Sequence, residues 1–356
     1  MKNIEVGIGG DLSGLRGRTD GRTYEGDFYS QLEHLNELLE SYDAGATIDF
    51  VENRPPQTNA EEFSEVCLSF GMPVKQFSFS CHIRRSDAER CPLDVLRDNL
   101  ELARRTRTVD RLNMQIWGDN ERPTIEDLID FYVSAEELAE AAGIDLYTET
   151  HVNCFTYDPR RLIAVQEALL EHAGRGLRVN ADLSHYVHQN GNTHYSNWGA
   201  ISSGELNINP LKPDNYVSRN IISAGMVSYG HLRCAVPNDL PPGKGSIQYP
   251  VVDPRNDPET EALTYGGMAE AWDEELLRPW FAWFREICSY HLSHPDRPLT
   301  RFSTEFIGDG TPGHYRAGAY RNLFQNIAMV SAIRKVIADL QEGTCGGGDD
   351  QNSLQM

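Results

Sequence analysis

Residues 124–151 read TIEDLIDFYVSAEELAEAAGIDLYTETH. The stretch opens on Thr124-Ile125-Glu126-Asp127, a capping-box pattern in which Thr and an acidic side chain satisfy backbone N–H groups at a helix start. An amphipathic run follows to Ala142, and Gly143 stops it. Asp145 to His151 then reads as a short β-like run. Helix, glycine stop and strand together form the repeating unit of a parallel sheet, whose crossovers need helices of this length.

Outward from this stretch the same unit recurs. β-like runs cover Ile4 to Gly9, Ala46 to Glu52, Val74 to Cys81, Arg111 to Trp117, Asp145 to His151, Leu177 to Ser184, Met226 to Arg233 and Leu299 to Phe306. Phe28 to Tyr42 carries Leu32, Leu35, Leu38 and Leu39 at helical spacing. Asn59 offers a cap to an acidic first turn, and Pro92 opens a helix to Arg105. Asp158-Pro159 starts another that runs to Ala173 and stops at Gly174. Asp273 to Leu292 and Tyr315 to Leu340 are the last helices expected. Eight strand–helix units imply an α/β protein of the (β/α)8 TIM-barrel class. The rival is an open doubly wound sheet, which announces itself by G-x-G-x-x-G after the first strand. Gly7-Ile8-Gly9-Gly10 does not fit that pattern.

Two connections are long, His185 to Gly225 and Cys234 to Glu270. They follow strands six and seven, on the face where barrel loops build sites. The expected organisation is a single barrel domain over residues 1–342 and a flexible C-terminal tail over 343–356.

Composition narrows the function. The chain has 356 residues, 40% hydrophobic and 24% charged, which is ordinary for a globular protein. Lys plus Arg is 32 against 53 Asp plus Glu, a net charge of -21. Such a surface disfavours nucleic acid and has no electrostatic reason to sit on an anionic membrane. No apolar run approaches the ~20 residues of a membrane helix, and the start lacks a signal-peptide run. Seven scattered cysteines without a C-x-x-C pair argue against disulfides and a thiolate zinc site, so a cytoplasmic location is expected.

Chemistry in a barrel comes from the carboxyl ends of its strands. Strand five delivers Glu149 and His151, strand six Asp182 and His185, strand seven His231 and Arg233, and strand eight Glu305. Taken singly, Asp182 reads as a helix cap, His231 as a hydrogen-bonded core histidine and either glutamate as a salt-bridged residue. Jointly, Glu149, Asp182, His231 and Glu305 fall at one level of adjacent strands. Converging carboxylates repel unless a cation lies between them. Three carboxylates and one imidazole suit a hard divalent ion: Mn2+ first, with Mg2+, Co2+ or Zn2+ as alternatives.

These motifs resemble the xylose isomerase-like TIM-barrel superfamily: Glu149, Asp182-Leu183-Ser184-His185, Gly230-His231-Leu232-Arg233 and Thr304-Glu305-Phe306. The resemblance spans residues 4 to 340, with its motif residues in the second half. It implies a sugar isomerase or epimerase holding one divalent ion through Glu149, Asp182, His231 and Glu305. Glu149 and Glu305 would also move protons, and His185 would contact substrate. Glu149-Thr150-His151 further resembles the α-subunit of bacterial C-glycoside-deglycosylating enzymes. That likeness implies a lyase acting on 3-keto-glycosides, with His151 as base and a small β-rich partner subunit.

Moving a proton beside a carbonyl passes through an enediolate, whose charge a cation stabilises. His151 is the natural titrating group, and Arg233 would hold a substrate oxygen. Asn113, Gln115 and Trp117 alternate on strand four, either lining the mouth or filling the barrel. His82 is not expected to be a ligand. A hydrolase of the endonuclease IV type is opposed by the acidic charge. The expected partners are a small sugar or glycoside and further copies of the chain.

Overall fold

The computed structural model describes residues 4–9, 28–41, 46–83, 90–117, 123–152, 154–187, 198–236, 247–256, 272–296, 298–306 and 322–345. Eight parallel strands close into a barrel: β1 (Glu5–Ile8), β2 (Val51–Glu52), β3 (Val74–His82), β4 (Arg111–Trp117), β5 (Asp145–Glu149), β6 (Val179–Ala181), β7 (Val227–Leu232) and β10 (Arg301–Thr304). Each pairs with its sequence neighbour in the barrel, and β10 closes the ring against β1 with Glu5 opposite Arg301. Seven of the eight β-like runs contain their barrel strand, and β3 runs one residue past its run, to His82. The paired segments are mostly shorter than the runs, so His151, Asp182, Arg233 and Glu305 stand just beyond β5, β6, β7 and β10.

The helices follow from their caps. α1 spans Phe28–Ser41, α2 Ala60–Ser69, α3 Pro92–Thr106, α4 Ile125–Ala142 and α5 Pro159–Ala173. Thr124 and Asp127 form the reciprocal capping box, and Gly143 (φ 69°) and Gly174 (φ 67°) take the left-handed conformation that ends α4 and α5. Asn59 stands at the start of α2 but its side chain makes no cap bond. Asp273 caps a 3-10 turn, Glu274–Leu277, that leads into α7 (Arg278–Ser293) rather than starting the α-helix itself. α8 runs Asn322–Cys345, so residues 343–345 of the expected tail (343–356) are helical; the expected earlier start at Tyr315 and the rest of that tail lie outside the described residues.

Alternation on the strands sorts side chains into two layers. On β4, Leu112, Met114 and Ile116 join the apolar shell with helix residues such as Leu100, Leu128 and Leu162. Asn113 and Gln115 point the other way, into the barrel, and hydrogen-bond across to β5. At the amino-terminal end of the barrel, Arg301 binds Glu5 (2.5 Å) and Asp110 (2.5 and 2.7 Å), while Lys75 binds Glu5.

Gly9, just after β1, serves packing. A Cβ on Gly9 would collide with Ser303 Oγ and lie 3.2 Å from Glu52 Oε2. Among the described residues the long connection after β6 holds the five-residue helix α6 (Trp198–Ser202) and short helical turns, and its Asn-rich part at 188–193 lies outside them. The connection after β7 contains an antiparallel hairpin, β8 (Ala235–Val236) with β9 (Ile247–Gln248). No helix among the described residues is long and apolar enough to cross a membrane.

Candidate metal centre

Four strand ends bring Glu149, Asp182, His231 and Glu305 together. One ligand atom from each lies within 4.8 Å of the others. His231 Nδ1 is 3.3 Å from Glu305 Oε2, 3.7 Å from Glu149 Oε1 and 4.0 Å from Asp182 Oδ2. Glu149, Asp182 and His231 are buried, and Glu305 nearly so. Glu149 Oε1, His231 Nδ1 and Glu305 Oε2 are buried and have no hydrogen-bond partner among the described residues. Buried polar atoms are normally paired, so three unpaired atoms converging on one point fit a cation between them.

The other atoms of the cluster are held in place. Glu149 Oε2 accepts from Asn113 Nδ2 (2.6 Å) and Gln115 Nε2 (3.0 Å), which turns Oε1 toward His231. Asn113 and Gln115 therefore orient Glu149, a use that alternation alone did not reveal. Asp182 Oδ1 accepts from the backbone N and hydroxyl of Ser184, and Oδ2 from Arg233 Nη2 at 2.8 Å. Arg233 Nε donates to Ser184 Oγ (2.8 Å), and its Nη2 lies 2.9 Å from His185 Nε2. His231 Nε2 faces away from the cluster, 3.1 Å from Glu52 Oε2. Glu52, the end of β2, escaped the sequence reading, which weighed residues of strands three to eight and none of strand two. The same rule applied to the run Ala46 to Glu52 would have found it.

Charge is crowded here. Burial raises Asp182, Arg233 pulls it back and the Glu305 charge raises it again, leaving it at about 7. Burial also opposes ionisation of Glu149 and Glu305, but the neighbouring His231 holds both below the ordinary carboxylate value. Burial would lower His231, yet the charges of Glu305, Tyr229 and Glu52 lift it well above the usual histidine value. His151 is lowered, chiefly by burial, so its imidazole is neutral at neutral pH.

A second group adjoins the first. The rings of His151 and His185 pack at a tilt with centroids 4.1 Å apart, and with Glu149 they form another set of converging ligand atoms. Trp117 continues the row, 5.5 Å from His151 and 5.8 Å from His82. Every site residue expected from sequence thus lies on one rim of the barrel mouth.

No family model and no curated protein matches the chain. Solved structures match over nearly its whole length. A xylose isomerase-like TIM barrel protein from Mycobacterium smegmatis in complex with magnesium is 13% identical, covers 93% of this chain and 97% of its own, and has a TM-score of 0.51. An L-ribulose 3-epimerase is 14% identical over 99% of this chain and 100% of its own, TM-score 0.53. The IOLI protein with a bound zinc atom is 11% identical over 95% and 99%, TM-score 0.51. The chain shares the (β/α)8 barrel fold of these structures.

Proposed function

We propose that the chain is a divalent-metal-dependent isomerase or epimerase of a keto- or aldo-sugar. The observation that carries this reading is the convergence of Glu149, Asp182, His231 and Glu305, with three of their ligating atoms buried and unpartnered among the described residues. A divalent ion there would stabilise the negative charge that develops on sugar oxygens when a neighbouring C–H is broken. Magnesium and zinc in the similar structures support this donor set as a metal site.

The protein's own groups supply the rest. Glu149 at the end of β5 and Glu305 just beyond β10 would take and return a carbon-bound proton. His185 and Arg233 form a buried donor pair for substrate hydroxyl or carbonyl oxygens. Trp117 offers a half-buried ring on which the apolar face of a sugar can stack. The six described cysteines with placed side chains are free, which supports a reducing compartment. Incubation with ketoses in deuterated water tests the reading. Metal-dependent incorporation of deuterium at a carbon beside the carbonyl is expected, and no incorporation across a ketose panel would overturn it.

His151 favours a second reading. It lies against His185 and beside Glu149, where it would serve as a separate base for elimination from a 3-keto-glycoside. A small β-rich subunit would then be the partner. Release of the aglycone from a 3-keto-glucoside, against a product that keeps both halves, separates lyase from epimerase.

A further inference from the structure

Glu52 is not one of the four converging side chains, yet it is buried directly behind one of them. Its described polar neighbours all present donors. Gln76 Nε2 donates at 3.0 Å to Oε2, and Ser78 Oγ donates at 2.9 Å to Oε1. The Ser78 hydroxyl itself accepts from Asn113 Nδ2, so its own proton is available to Glu52. The Tyr229 hydroxyl also donates to Oε2, and His231 Nε2 lies 3.1 Å from the same oxygen.

This arrangement constrains the imidazole. Toward Glu52, Nε2 meets an acceptor and must carry a hydrogen. Nδ1, without a hydrogen, then turns its lone pair toward the space it shares with the oxygens of Glu149, Asp182 and Glu305, where a cation would accept it. The ring cannot readily turn over: Tyr229 packs edge-on at 5.2 Å, and Gly9 leaves the carboxylate a slot in which a Cβ would lie 3.2 Å from Oε2.

We propose that Glu52 is a positioning residue that fixes His231 as the Nε2–H tautomer, delivers Nδ1 to the divalent ion and strengthens it as a donor. The inference rests on the metal reading above. A carboxylate behind a ligating histidine commonly accounts for about 10–100-fold in metal affinity. That makes Glu52 part of the affinity of the centre without touching the ion or the sugar.

The test uses the full chain and two readouts. The first is the nitrogen-15 imidazole spectrum of the wild-type protein loaded with diamagnetic Zn2+, with His231 assigned by a His231→Gln variant. The expected result is a hydrogen on Nε2, shifted downfield by its bond to Glu52. A hydrogen on Nδ1 would overturn the proposal with no need of a Glu52 variant. The second is a Mn2+ titration of wild type and Glu52→Gln, a near-isosteric change. Weakening by about 10–100-fold supports the proposal, and unchanged affinity overturns it while leaving the metal centre intact. If wild type itself binds no ion, the metal reading falls and takes this inference with it.

Discussion

Glu149 shows how a single side chain becomes a ligand. One oxygen is tied to two amides from β4, and the other is left facing an imidazole and two further carboxylates. His151, two residues on, lies outside the four-residue cluster and keeps a neutral ring. His151→Ala is therefore expected to retain bound metal and lose about 10²-fold or more in turnover, the scale of acid–base catalysis. Metal content by mass spectrometry and steady-state kinetics check both halves; unchanged turnover would return His151 to a structural role. The ligand set was legible because each member ends a strand in a run of consecutive strands. The orienting residues were not. That Asn113 lies beside Tyr147 and reaches Glu149 depends on the β4–β5 register, which no local pattern states. Glu52 reaches His231 across 179 residues of sequence separation, a contact made only by closing the ring.

Among the elements, helix ends carried the most local information. Thr124 Oγ1 accepts from Asp127 N at 3.1 Å, and Asp127 Oδ2 accepts from Thr124 N at 2.6 Å. Thr124→Ala should cost ~1 kcal/mol of stability, as cap removals do. Urea unfolding with an unchanged slope would measure it, and a loss near zero would show that α4 is held by packing alone. Strand lengths were less legible. β2 pairs over only Val51–Glu52 within a run that began at Ala46, because pairing depends on what its neighbours offer. The β8–β9 hairpin was invisible for the same reason: two residues a side carry no period.

Across the whole molecule the two ends of the barrel contrast. The amino-terminal end is internally neutralised, with Arg301 and Lys75 against Glu5 and Asp110. Burial raises the Glu5 carboxyl, but its bonds to Lys75 and Arg301 outweigh that and hold it below 4.5. A carboxyl lowered by folding adds stability that is present above its unfolded value and is lost as pH falls through the folded one. Glu5→Gln should therefore destabilise the protein by ~1 kcal/mol at pH 7, a value kept small by its partial exposure, and by less below pH 4. Thermal melts from pH 7 to pH 3.5 check this, and a pH-independent difference between the two proteins would contradict it.

Among the described residues the carboxyl-terminal end has no such balance: Glu52, Glu149, Asp182 and Glu305 face the single guanidinium of Arg233 and the imidazoles. A bound divalent ion would supply the missing charge and raise stability by ~2.7 kcal/mol at a hundred times its dissociation constant. Equilibrium dialysis of the chelator-stripped chain against Mn2+ addresses that claim directly. The account predicts one ion per chain, lost when Asp182→Asn and Glu305→Gln are combined. No binding at millimolar Mn2+, or equal binding by the double variant, would contradict it.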